Sequence, residues 1–221
     1  IISIKEDIMF YTYSILFFIY SFLGWLMEVI LSLITEHRFV NRGFLLGPCC
    51  PIYGFGSLLL YFLLKSYTNN FIVLFILTMF ICSLLEYTTS YIMEKIFKLR
   101  WWDYTNMKYN LNGRICLETM TPFSLLGALT IKYVTPNLIK IINSFSSKII
   151  LIISIILITI FIVDIIISLT IVFKLKLVAK DKKDSTIDIK KAISKFIKND
   201  FYVYERILKA FPNLNKKKNM K

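Results

Sequence analysis

Residues 149–173 contain a single charged side chain, Asp164. As a helix rising about 1.5 Å per residue, such a run covers about 37 Å, more than the roughly 30 Å hydrocarbon core of a bilayer. This run limits the possible folds more than any other feature of the sequence. A stretch this long and this apolar reads as a membrane-spanning helix. Four further runs support the same reading, at residues 10–34, 53–64, 71–97 and 122–134. Composition agrees: 57% of the 221 residues are hydrophobic, against about 45–50% in soluble domains. The expected fold is therefore all-α, a polytopic helical membrane protein with about five transmembrane helices. Residues 1–173 form the transmembrane domain, and residues 174–221 a basic tail. No secretory signal peptide is expected, because the first run is too long and lacks a small-residue cleavage site. The sequence opens on Ile1, which reads as a truncated start or a non-standard start codon translated literally, with Met9 a candidate true start.

The net charge is +13. In a soluble chain this would point to nucleic acid. Here the charges follow the loops, so they mark the cytoplasmic side of a bilayer, and no nucleic-acid partner is expected. With five spans, one side holds only Lys5, Lys65, Lys132, Lys140 and Lys148 of the 27 Lys and Arg residues. The positive-inside rule then places residues 35–51, residues 98–121 and the C-terminus in the cytoplasm, with the N-terminus outside. The tail carries 15 Lys/Arg against 5 Asp/Glu. Within it, Ile189, Ile193, Phe196, Ile197, Tyr204, Ile207, Leu208 and Phe211 recur near helical spacing. That pattern predicts a basic amphipathic helix lying on anionic lipid or on a partner protein.

The two long connectors are the candidate functional surface. The first holds Asn41, Arg42, Gly43, Gly47, Pro48, Cys50, Pro51 and Tyr53. Its glycines permit either a tight loop or a re-entrant turn lined by carbonyls. The second holds Trp102, Asp103, Tyr104, Asn112, Gly113 and Arg114. Trp102 and Tyr104 suit an interfacial aromatic belt, and Asp103 with Asn112 suits a polar pocket. Carboxylates inside spans need partners, and Glu28, Glu86, Glu94 and Asp164 are such groups. Arg42 and Arg114 are the natural candidates, since guanidinium binds carboxylate bidentately. Glu86, Ser90 and Glu94 share one helical stripe. The order of Glu, connector, Asn/Arg/Gly, Pro and Gly occurs twice, around Arg42 and around Arg114, which suggests a parallel internal repeat. The pairs could serve as internal glue, or one Arg could hold an anionic group such as a lipid-linked phosphate.

The sequence contains no phosphate-binding GxxxxGK[ST] loop, no GxSxG and no HExxH. His37 is the only histidine, and the four cysteines have no metal-ligand spacing. No catalytic residue, metal or cofactor is assigned.

Several motifs together resemble the ABC-transporter type IV permease family of bacterial membrane proteins. They are Phe22-Leu23-Gly24-Trp25 with Glu28, Asn41-Arg42-Gly43-Phe44, Gly47-Pro48 and Cys50-Pro51-Ile52-Tyr53-Gly54. Further along come Glu86-Tyr87, Met93-Glu94, Trp102-Asp103-Tyr104 and Asn112-Gly113-Arg114-Ile115-Cys116-Leu117. The resemblance spans about residues 20–170. It departs at Pro122-Phe123-Ser124, where an aromatic-Trp-Gly run is expected. The resemblance implies a permease-like component in the bacterial inner membrane. It also implies a separate ATPase subunit, and a homo-oligomer or a second membrane subunit. The rival readings are a membrane enzyme or binding protein for a lipid-linked phosphate, and a membrane scaffold.

Overall fold

The computed structural model describes residues 2–37, 39, 41, 45–97, 100 and 102–180. The described chain is helical almost throughout, as its composition requires. Its helices are α1 (Ile2–Glu36), α2 (Pro51–Leu64), α3 (Phe71–Phe97), α4 (Leu117–Leu129), α5 (Thr135–Asn143) and α6 (Ser147–Lys180). Lys65–Tyr67 adds a 3₁₀ turn after α2, and Thr130–Val134 forms a π turn joining α4 to α5. Four segments are long and apolar enough to cross a bilayer: Ile8–Thr35, Phe71–Ile96, Leu117–Asn143 and Ser147–Thr170. The protein is a polytopic α-helical membrane protein. Its α2 is shorter, 14 residues or about 21 Å.

Helix α1 begins before its expected span, at Ile2, and α6 continues past its own, to Lys180; the largest difference is around Pro122. The helix expected to begin at Pro122 begins at Leu117 and continues through the π turn and past Pro136 to Asn143. Pro122 lies inside α4, at its sixth residue, and removes the N–H that would bond the Glu118 carbonyl. Pro136 is tolerated because the π turn precedes it directly. There the Thr135 N–H reaches back five residues to the Thr130 carbonyl, which resettles the ladder around the missing donor. At the other end of the turn after α2, Asn70 caps α3. Its Oδ1 accepts from the N–H groups of Ile72 (3.1 Å) and Val73 (3.2 Å).

The structure divides into two compact units. The first comprises Ile1–Ser21 and Pro51–Ile158; the second comprises Phe22–Cys50 and the described residues from Thr159 onward. In the first unit, Tyr13 packs on Phe62 and Phe17 on Phe55, each at 4.7 Å between ring centres. The opposite numerical order of these pairs shows that α1 and α2 run antiparallel. Gly54 makes the approach possible: a Cβ there would lie 2.6 Å from the Phe17 carbonyl oxygen and would also strike the Ser21 hydroxyl. Small residues perform this task between membrane helices, where van der Waals contact replaces the hydrophobic effect. One core joins Leu60 and Leu64 of α2 to Leu74 of α3, Ala128 of α4 and Ile131 of the π turn. A second joins Leu16 and Tyr20 of α1 to Ile142 of α5 and Ile150 of α6. The buried Tyr20 hydroxyl pairs with Thr135 Oγ1 at 2.7 Å.

The segment after α3, expected as a connector, holds a short strand pair. Asn110–Leu111 (β1) and Ile115–Cys116 (β2) form a short antiparallel hairpin. The tail's expected amphipathic helix lies outside the described residues.

Candidate functional site

In the first unit, the hairpin docks against the C-terminal part of α3. Tyr87, Ser90, Tyr91 and Glu94 fall at i, i+3, i+4 and i+7 and so share one face of that helix. Asn112 and Gly113 both have positive φ, 55° and 66°, and the Arg114 N–H closes the turn onto the Leu111 carbonyl at 3.0 Å. Two positive φ values in succession are what a type I′ turn demands, and Asn-Gly is the pair that supplies them most cheaply. Gly113 is needed for space as well. A Cβ there would meet Asp103 Oδ1 at 2.7 Å and Arg100 Nη1 at 3.0 Å.

Side chains then fasten the turn to the helix. Asn112 Nδ2 donates to the Tyr87 hydroxyl at 2.9 Å. Arg114 Nη2 meets Glu94 Oε2 at 2.7 Å, and its Nη1 donates to Ser90 Oγ at 3.3 Å. The same guanidinium lies over the rings of Tyr87 (5.7 Å) and Tyr91 (5.4 Å), an added cation–π attraction. Arg100 Nε reaches the same Glu94 oxygen at 3.2 Å, while its Nη1 contacts Asp103 at 3.4 Å. Trp102 Nε1 donates to the Arg114 carbonyl at 2.9 Å, and the Tyr104 N–H to the Gly113 carbonyl at 2.8 Å. Burial alone would raise the Asp103 pKa. The Thr105 hydroxyl and N–H, together with Arg100, outweigh it and hold the carboxyl below its ordinary range. Asp103 therefore stays ionised, and its contacts are lost only as pH falls through that lowered value.

The second unit holds a different arrangement, centred on Asp164. The N–H of Leu46 donates to Asp164 Oδ1 and that of Gly47 to Oδ2, each at 2.8 Å. Ser168, one turn further along α6, donates to Oδ1 at 3.0 Å. Asp164 was expected to pair with an arginine. Its carboxylate is instead satisfied by backbone amides, because the connector presents two successive N–H groups to its two oxygens. Gly47 permits the contact, since a Cβ there would sit 2.9 Å from Asp164 Oδ2. The connector is held further by Asn41, which accepts from Trp25 Nε1 at 2.9 Å and donates to the Leu46 carbonyl at 3.4 Å. Asp164 lies nine residues before Phe173, about 13 Å along the helix. The connector's backbone thus reaches a level well inside the apolar run, which is tolerated only where its polar groups are paired.

A family profile described as "Putative ABC-transporter type IV" matches residues 15–169. The chain belongs to this family. Comparison with curated proteins and with solved structures gave no match. The match takes in both arrangements of this ABC-transporter type IV family member, the α3–hairpin cluster and the Asp164 clasp. The resemblance carried by the connector motifs is borne out, with nearly the same bounds.

Of the residues singled out from sequence, the structure brings Glu94, Trp102, Asp103, Tyr104, Asn112, Gly113 and Arg114 into one cluster. Asn41 and Gly47 belong to the Asp164 clasp. Glu28 is half-buried in α1, and Glu86 is half-buried in α3. Pro48 is exposed and Cys50 is buried. Pro51 opens α2, where its missing N–H costs nothing, and Tyr53 packs near Phe123 at 6.1 Å. Arg42 and Gly43 lie outside the described residues. The expected pairing of Glu28 with Arg42 and the Arg-Gly step of the first copy of the suggested repeat therefore fall there too. Sequence reasoning gave no role to Arg100, Tyr91 and Ser168, and named Tyr87 only as part of the Glu86-Tyr87 motif. The spacing of Tyr87 and Tyr91 around Ser90 and Glu94 was a legible signal for the first cluster. Ser168, four residues after Asp164, was one for the second.

Proposed function

We propose that this chain is the permease-like membrane subunit of an ABC transporter, working with a separate ATPase in the bacterial inner membrane. The family match over residues 15–169 carries the reading. The α3–α4 connector supports it. A hairpin tied to a spanning helix by an Arg–Glu pair, a stacked guanidinium and an Asn–Tyr bond is stiff enough to pass a push from a partner into α3. The basic tail and the two connectors form the proposed partner-facing side, which is the cytoplasmic side under the positive-inside rule. In this arrangement α2 completes a fifth crossing and the N-terminus lies outside. A second membrane subunit or a second copy of this chain completes the permeation path.

The full chain, tagged and expressed at its native level, is expected to co-purify with an ATP-hydrolysing protein. Recovery of the chain alone under mild detergent would overturn the transporter reading. Orientation has its own test. Against a background without native cysteines, Thr68→Cys should react with an impermeant maleimide in intact cells and Asn106→Cys should not. The opposite labelling pattern would reverse the topology.

A further inference from the structure

An open cleft of about 470 Å³ lies between α3 and the hairpin, lined by Tyr87, Tyr91, Arg100, Asn112, Gly113 and Arg114 among others. Two arginines line it, and both already contact the same oxygen of Glu94. A guanidinium carries more N–H donors than two contacts can use. Among the described residues, Arg114 bonds only Glu94 and Ser90, and Arg100 only Glu94 and Asp103. Asp103 makes a weak claim on Arg100, since Thr105 supplies it with an N–H and a hydroxyl. Solvent does not easily meet the surplus at Arg114, whose side chain is 11% exposed. The rings of Tyr87 and Tyr91 cover the guanidinium, so its remaining donors can be satisfied only around its edge.

We infer that this cleft binds a phosphate group, with Arg100 and Arg114 as its paired donors and the tyrosines fixing Arg114 in place. A phosphate offers several acceptor oxygens within the span of two neighbouring guanidiniums, and arginine forks match that geometry. The position fits as well. Glu94 stands three residues from the end of α3, and Trp102 follows, so the cleft opens where an apolar run gives way to interfacial aromatics. A phosphate monoester or diester could arrive there from a lipid headgroup or from solution. The inference does not depend on the chain being a transporter subunit.

The test uses the full chain in a non-ionic maltoside detergent. The probes are inorganic pyrophosphate, dioctanoyl phosphatidic acid, and dioctanoylglycerol as the phosphate-free control. Thermal stabilisation and tryptophan fluorescence report binding, since ligand binding to the folded state raises the melting temperature and Trp102 bonds the Arg114 carbonyl. Phosphatidic acid should stabilise the protein and dioctanoylglycerol should not. Stabilisation by pyrophosphate as well assigns the site to free phosphates; its absence assigns the site to lipid. Arg100→Gln is expected to weaken phosphate binding by roughly tenfold to a hundredfold, the value of one or two charge-assisted bonds. Arg114→Lys, which keeps the charge but loses the fork, should weaken it comparably and guards against a misfolded first variant. Equal affinity in the wild type and both variants would place binding on the basic tail and overturn the proposal. So would equal stabilisation by dioctanoylglycerol.

Discussion

Substituting Asp164 with asparagine should lower the stability of the detergent-solubilised protein by about 2–4 kcal/mol, although the two side chains have nearly the same shape. The two carboxylate oxygens each accept a backbone N–H, from Leu46 and from Gly47. Asparagine has only one oxygen, so its NH₂ must face one of those donors. Removing the charge recovers some desolvation cost, but the donor-to-donor contact remains. Asp164→Ala should cost more, because Leu46, Gly47 and Ser168 would all lose a shared acceptor. The measurement is a melting curve together with limited proteolysis of residues 38–50, which should become the first site of cleavage. Unchanged melting and unchanged proteolysis in both variants would show that the connector is held by something else.

Arg114→Ala is the second large effect, with an expected loss of about 2–3 kcal/mol. Breaking a fully buried pair costs about 3–5 kcal/mol. The value here is lower because the Glu94 side chain is 33% exposed and keeps Arg100 as a partner. The variant also removes the cover over Tyr87 and Tyr91. A double-mutant cycle with Glu94→Gln separates the pair from the packing, and a coupling energy above about 1 kcal/mol is expected. Additive single-variant effects would mean that the Arg114–Glu94 contact contributes nothing of its own.

Much of the architecture could be read from the sequence because lipid imposes a simple rule on it. Residues 71–97 coincide with α3, since a long apolar run bounded by Asn70 and a charged segment, with Glu86, Glu94 and Lys95 as its charged residues, has only one economical structure. The helix from Leu117 to Asn143 was harder. Its two prolines read as boundaries, and a π turn that absorbs one of them leaves no mark in composition. The hairpin is legible in one dipeptide. Asn112-Gly113 is a strong turn signal, although the same residues also match the Asn/Arg/Gly step of the suggested repeat. Arg114 with Glu94 followed from the cost of an intramembrane carboxylate. The same logic failed at Asp164, because backbone amides can satisfy a carboxylate and no residue type announces them.

The π turn at Thr130–Val134 has a consequence for the packing around it. Ala128, Ile131, Thr135 and Ile142 are spaced at 3, 4 and 7 residues, the intervals of a single α-helical stripe. The wide turn retards the rotational phase of everything after it by nearly one residue, or roughly 100°. Positions that a uniform helix would aim at one neighbour are thereby shared between two. Ala128 and Ile131 meet α2 and α3, while Thr135 and Ile142 meet α1. One unbroken membrane helix thus serves as a common wall for two separate cores, and the offset that allows it is built from a single widened turn.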